Sequence, residues 1–405
     1  MPLMTSLHDS PYSWFRLAVS ILIATVGSVG IWAIVVIMPQ VEAEFGVGRG
    51  DVSLPYTSTM LGFAIGNLLI GRAVDRFGIV AALTAAALVQ AIGFAIAAAA
   101  PSIWALILVQ FAIGLGAAST FGPMMADISH WFMRRRGVAV AIVACGNYLA
   151  GAVWPLLLAG TLETDGWRTV CAILAVGVAA LMIPLALLIR RRPPEIAHEV
   201  AGTAAAANRL TAGFSPRTLQ IMLFTAGVAC CVAMSMPQVH IVAYCVDLGF
   251  GGRVGAEMLA VMLMGGAISR FTFGMIADRL GGVRTLLIGS GLQCLALFLY
   301  LPFDGLVSLY IVSAIFGLSQ GGIVPCYAIM VREYMPPKEA GARVGVVIMG
   351  TVLGMALGGW MSGWIYDLTR SYELAFLNGI AWNVMNMAII LTIFLRRRPA
   401  ALAPA

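Results

Sequence analysis

Apolar residues run along this chain in long blocks separated by short polar and charged clusters. Twelve blocks fall near 15–38, 54–70, 80–100, 103–126, 138–160, 168–189, 221–246, 256–276, 283–302, 306–331, 344–366 and 373–395. Each approaches or exceeds the length of about 20 residues that carries a helix across hydrocarbon. None alternates apolar and polar residues as a barrel strand would, so the blocks are predicted to be helices that satisfy their own backbone groups. The first block follows a short polar tail and is too long and uninterrupted for a cleaved signal peptide. The expected fold class is an all-α membrane protein with twelve transmembrane helices.

The polar clusters carry a repeat. Gly71-Arg72-Ala73-Val74-Asp75-Arg76-Phe77-Gly78 returns 203 residues later as Gly274-Met275-Ile276-Ala277-Asp278-Arg279-Leu280-Gly281. Both read G-x-x-x-D-R-x-G, and each copy ends one apolar block and precedes the next. Gly114-Leu115 and Gly317-Leu318 repeat at the same offset. Internal duplication in an apolar chain predicts two pseudo-symmetric six-helix halves, the build of many secondary transporters. The expected division is 1–190, a central loop 191–220, and 221–405.

Composition agrees: 61% of residues are hydrophobic and 10% charged, more apolar than a soluble domain of this length needs. Of the 24 basic residues, 19 fall on the side that holds both repeated loops, including Arg16, Arg134–Arg136 and Arg190–Arg192. Four (Arg49, Arg168, Arg253, Arg370) fall on the other side, and Arg270 lies inside a block. The positive-inside rule then places both termini and both repeated loops in the cytoplasm. The net charge of +6 is a topology signal, and its scatter over short loops gives no nucleic-acid surface. The seven cysteines all fall in the blocks without C-x-x-C spacing, so they read as apolar packing. No P-loop, metal spacing or nucleophile–base arrangement appears. An ATP-driven pump and a membrane enzyme are therefore disfavoured, and neither cofactor nor metal is expected.

With these features the chain resembles the major facilitator superfamily, whose doubled loop latches the two halves at the cytoplasmic face. The resemblance implies latch roles for Gly71, Asp75, Arg76, Asp127, Arg136, Gly274, Asp278 and Arg279. Asp127, at the end of helix four, is expected to pair with Arg72, Arg76 or Arg134. A second motif, Trp131-Phe132-Met133-Arg134-Arg135-Arg136-Gly137, resembles the aromatic-Phe-x-basic-basic signature of monocarboxylate transporters and the related oxalate/formate exchangers. L-lactate-carrying bacterial members are most similar, which implies the cytoplasmic (inner) membrane of a bacterium and a functional monomer. The chain departs from the animal carriers in lacking their Asp-Gly-rich signature before helix one. Trp32 stands at or near their helix-one lysine, and Gly266 replaces their helix-eight Asp.

Arg270 is the one charge that no membrane surface explains. It precedes Asp278 by eight residues, about 12 Å along a helix, which puts it near the midplane of a core about 30 Å thick. A central Arg costs roughly 2.5–3.5 kcal/mol even on lenient scales, so it needs a wet cavity or a partner. Its planar fork matches a carboxylate, and the matching helix-eight Arg of the family binds the substrate carboxylate. Further candidates to contact substrate are Asn147, Tyr148, Tyr327 and Asn67, the last at the position related to Arg270 by the repeat. Candidates to carry a proton are His240, Asp247 and Glu257; each has a plain reading as packing or surface charge.

One buried cation fits one carboxylate, so the expected substrate is a small monocarboxylate of the L-lactate or pyruvate type. Proton-coupled symport is implied by the resemblance. An oxalate/formate-type exchanger is the alternative, but its second cation on helix eleven aligns with Thr351. A drug antiporter would need a buried carboxylate at mid-depth, and no block shows one. The expected partners are substrate, proton and lipid.

Overall fold

The computed structural model describes residues 8–191, 210–211, 213–335, 339–396 and 398–399. Most of the expected central loop, and the side chains of Arg192, Arg209, Lys338, Arg397 and Arg398, lie outside the described residues. The described chain is almost wholly helical. A two-residue antiparallel pairing of Leu210–Thr211 with Arg398–Pro399 is the exception.

Helices α1 (Pro11–Gly27) and α2 (Val29–Phe45) form the first span, interrupted at Ser28. Ser10 caps α1 by accepting from the Ser13 N–H, with Pro11 next to it, a start that suits both residue types. Gly46 ends α2 in the left-handed region at φ 61°, where a glycine costs least. There follow α3 (Arg49–Phe77), α4 (Ile79–Ala98), α5 (Ile103–Ala117) with a short 3₁₀ turn, α6 (Gly122–Ser129), α7 (Arg136–Ala144) and α8 (Gly146–Leu188). The second part of the chain holds α9 (Pro216–Asp247), α10 (Gly252–Leu280), α11 (Gly282–Leu299), α12 (Leu306–Gln320), α13 (Ile323–Tyr334), α14 (Ala340–Thr369) and α15 (Glu373–Arg396).

Ten segments are long and apolar enough to cross a membrane among the described residues. One of them, Arg136–Leu188, has 53 residues, roughly twice what one crossing needs. Gly166 breaks it with φ 80° and ψ 170°, so it reads as two crossings. The expected block at 54–70 lies inside α3, a 29-residue helix outside the ten apolar segments. Large apolar side chains such as Leu108, Val176 and Leu395 are exposed, as a surface facing lipid tails allows.

The chain divides into two compact units. The first holds residues 1–196 and 240–264, so it takes in the end of α9 and the start of α10; the second holds 197–239 and 265–405. In the first, α3 lies against α5 so closely that a Cβ on Gly114 would strike the Thr59 carbonyl. In the second, α10 meets the break between α12 and α13, where a Cβ on Gly321 would strike the Gly266 carbonyl. Small residues let helix backbones approach this way in membranes.

Candidate functional site

Helix four and helix ten are both interrupted. Helix four breaks between α5 and α6, where Phe121 takes φ −112° and ψ −91°. Helix ten breaks at Gly321–Gly322, between α12 and α13. Interruptions in corresponding segments of two repeats point to a transport site, because freed backbone groups there need polar company.

A side chain serves each break. In the second unit Arg270, only 9% exposed, donates from Nε to the Gly321 carbonyl at 3.3 Å. In the first unit Asn67 donates from Nδ2 to the Phe63 carbonyl at 2.8 Å. Its Oδ1 accepts the Gly122 N–H at 3.2 Å. Asn67 and Arg270 are 203 residues apart. The Gly122 donor has no counterpart in the second unit, because the corresponding residue is Pro325 and proline lacks an N–H. An amide therefore suits the first break, and a cationic donor to carbonyl oxygen suits the second. The Nε bond also orients the guanidinium plane, which matters for a fork that recognises carboxylates by geometry.

In the first unit the Trp32 indole donates to both oxygens of Asn147, the backbone carbonyl at 2.9 Å and Oδ1 at 3.0 Å. The Asn147 Nδ2 group makes no hydrogen bond among the described residues. Its neighbour Tyr148 is buried. Tyr327, in the second unit, is bonded to protein groups. Its hydroxyl lies 2.6 Å from Asn386 Oδ1 and 3.0 Å from the Ala226 carbonyl. Asn386 in turn donates to Ser290 Oγ, so the one tyrosine proton is engaged in a helix-to-helix network and not offered to a ligand.

The proton-carrier candidates sit in the first unit. His240 is fully buried. Glu257 is partly exposed beside Arg253 at 3.5 Å. Asp247 is engaged by Arg49, whose Nη1 and Nη2 reach its two oxygens at 3.1 Å each. Glu42 approaches Arg49 Nε at 2.7 Å. One guanidinium, 5% exposed, thus holds two carboxylates. Nothing in the sequence signals this, because Arg49 follows Gly46-Val47-Gly48 and its partner Asp247 is 198 residues away. Beside the cluster a cavity of about 280 Å³ is lined by Val36, Pro39, Gln40, Leu162, Val246 and Arg253.

The pairing expected of Asp127 needs correction. Asp127 does not pair with Arg72, Arg76 or Arg134. Its partner is Arg16 in α1, which donates from Nε at 2.9 Å and from Nη2 at 2.8 Å. Arg16 also donates to the Ile189 carbonyl at 2.7 Å and lies 4.5 Å from the Trp131 ring. A buried helix-one guanidinium therefore ties helices four and six together, and Trp131 of the family signature is its platform. Asp75, Arg76, Asp278 and Arg279 are exposed and make no ion pair among the described residues. Charges at hydrated helix ends gain little from pairing. Arg136 donates to Ser129 Oγ at 3.2 Å. A Cβ on Gly71 or Gly274 would meet nothing within 4 Å.

The comparisons place this architecture. The model of the Major Facilitator Superfamily matches residues 20–306 and 247–405, and the chain belongs to that family. It is 25% identical to the MFS transporter asaE of Aspergillus flavus over 302 residues, 73% of this chain and 66% of that one. It is 26% identical to Monocarboxylate transporter 13 of Bos taurus over 332 residues, 80% of this chain and 76% of that one. The chain thus spans slightly under two thirds of the Aspergillus relative's length. Among solved structures, a bacterial homologue of the human lysosomal transporter Spinster superposes with a TM-score of 0.72. That likeness covers 96% of this chain and 97% of the other at 15% identity, and it shows the fold. The protein is therefore an integral membrane protein of a transporter family.

Proposed function

We propose that the chain carries small monocarboxylates of the L-lactate or pyruvate type across the membrane by alternating access. The observation that carries this reading is Arg270, a buried arginine inside a span, held at the break of helix ten. Carrying a guanidinium charge through a closed, dry state is costly. A bound carboxylate cancels that charge with two parallel hydrogen bonds. The bovine relative's name supports the same substrate class. Asn147, with its Nδ2 donors uncommitted, and Tyr148 are the first unit's proposed contributors.

The two halves, 1–190 and 221–405, are proposed to move as the alternating bodies, with twelve crossings and both termini in the cytoplasm. The Arg49–Glu42–Asp247 cluster then lies at the outer end, where it acts as a gate. Its second carboxylate gives a proton a place to bind when Arg49 is released, which makes Asp247 the favoured coupling residue over Glu257 and His240. Gly71, Asp75, Arg76, Gly274, Asp278 and Arg279 would then act only when the cytoplasmic end closes. The family resemblance adds a functional monomer; it also implies a bacterial inner membrane, which the fungal and bovine relatives do not support.

The test is radiolabelled L-lactate uptake into proteoliposomes with and without an inward proton gradient, beside Arg270→Gln. Saturable uptake raised by the gradient, and absent in the folded variant, is expected. Full uptake by the variant overturns the site. Uptake only into vesicles preloaded with carboxylate would favour exchange of the oxalate/formate kind.

A further inference from the structure

The end of the first unit that carries Arg16 also presents guanidinium groups that transport chemistry does not use. Arg134, Arg135, Arg136, Arg190 and Arg191 are all exposed. None makes an ion pair among the described residues. Asp9 lies among them, its Oδ2 accepting the Met133 and Arg134 backbone N–H groups at 3.1 Å, and Asp127 at the same end is committed to Arg16. Positive groups therefore outnumber carboxylates there among the described residues.

Two of these arginines lie over aromatic rings of the first turns of α1. Arg191 lies 4.5 Å over the Tyr12 ring and Arg135 lies 5.7 Å from the Trp14 ring. Trp14 itself packs edge-on against Phe132 at 5.0 Å, and Tyr12 against Trp131 at 5.1 Å. The rings are in turn half open: Trp14 is 38% and Phe15 48% exposed, and Met133 beside the arginines is 64% exposed. A Trp that is partly exposed between a charged cluster and apolar neighbours suits the headgroup level of a bilayer. Each ring attracts the cation over it and steadies its position, while the guanidinium N–H groups stay available to phosphate oxygens.

From this juxtaposition we infer that Arg135 and Arg191, with Trp14 between the polar and apolar layers, form a binding site for the headgroup of an anionic phospholipid. The fit is one of charge and layering: phosphate on the arginines, glycerol backbone at Trp14, acyl chains along Phe15 and the exposed Leu187 and Leu188 of α8. Scattered positive charge would attract the leaflet without retaining a particular lipid. The stacked arrangement binds one lipid long enough to be carried with the protein. The inference is independent of the transported substrate.

The test uses the full chain in phosphatidylcholine nanodiscs with and without added phosphatidylglycerol, and reads retained lipid by native mass spectrometry. The wild type should retain phosphatidylglycerol in preference to phosphatidylcholine. Arg135→Ala with Arg191→Ala should lose about fivefold of that preference for each arginine removed. Arg253→Ala, at an exposed arginine elsewhere, should lose none. A double variant with the wild-type preference overturns the site. A second measurement needs no variant: phosphatidylglycerol should raise the wild-type unfolding temperature, and the rise should shrink as salt increases. No rise, or an equal rise from inorganic phosphate alone in phosphatidylcholine, overturns it as well.

Discussion

Arg16 and Asp127 are joined by two parallel hydrogen bonds at 2.9 and 2.8 Å, with the guanidinium wholly out of solvent. Removing one member of such a pair leaves the other charged and buried, which costs about 3–5 kcal/mol. Asp127→Ala should therefore lower the unfolding temperature in detergent sharply. Arg16→Met combined with Asp127→Leu should recover much of the loss, because paired apolar replacements remove both desolvation penalties. A single variant as stable as the wild type would show that the pair does not hold helices one, four and six together.

In the proposed site Arg270 recognises a carboxylate through shape as well as charge. Lysine keeps the charge and loses the fork that donates to Gly321 and, in the proposed site, to the substrate carboxylate. The loss of one or two charge-assisted hydrogen bonds, about 1.5–3 kcal/mol each, predicts that Arg270→Lys raises the KM for lactate at least tenfold while the protein stays folded. Concentration-dependent uptake checks it, and an unchanged KM would place the carboxylate elsewhere.

Much of this was legible in the sequence and some was not. Block length and the doubled loop predict the spans and the repeat, because the bilayer imposes both on the chain. Arg270 stood out because a charge inside an apolar run has few explanations. The breaks at Ser28, Phe121 and Gly321 were not legible: they interrupt apolar runs with small or apolar residues that packed helices also use. The burial of Arg49 was not legible either, since its partner Asp247 is 198 residues away. The partner of Asp127 was misassigned for the same reason. Several arginines lie nearby in sequence, but α1 brings in the one that fits from 111 residues off.

The Arg49 cluster predicts a change in access. Asp247→Asn removes one charge-assisted contact, about 1.5–3 kcal/mol, and leaves Glu42 alone on the guanidinium. If the cluster is a gate, that end should open more often. A cysteine placed at the cavity-lining Val36 should then react with an impermeant maleimide about tenfold faster in the Asp247→Asn background. An unchanged rate would reduce the cluster to a structural ion pair.

Asp9 offers a pH prediction with a definite sign. Burial works to raise its carboxyl, but backbone N–H donors from Arg134, Met133 and Arg135, with the Arg134 charge, outweigh it and hold Asp9 below the ordinary 3.8. A depressed folded pKa stabilises above the unfolded value and loses that stabilisation as pH falls through the folded value. Amide protection at Met133 and Arg134 should hold at neutral pH and fade only below the usual aspartate range. Asp9→Asn should remove the pH dependence, as hydrogen exchange would show.

Glycine substitutions separate packing from gating. At Gly321 a new Cβ would strike the Gly266 carbonyl, and backbone cannot swing aside as a side chain can. Overpacking of this kind costs about 1–3 kcal/mol. It would also push the carbonyl that Arg270 holds, so Gly321→Ala should lose both stability and uptake. At Gly71 and Gly274 a Cβ meets nothing within 4 Å, and surface-like changes usually stay within about 0.5 kcal/mol. Gly71→Ala and Gly274→Ala should therefore leave the unfolding temperature alone. If uptake nevertheless falls, the repeated glycines serve a conformation in which their surroundings close in, as the latch proposal requires. If uptake is also unchanged, these glycines have no part in the latch, and only the charged residues of the repeat remain to carry it.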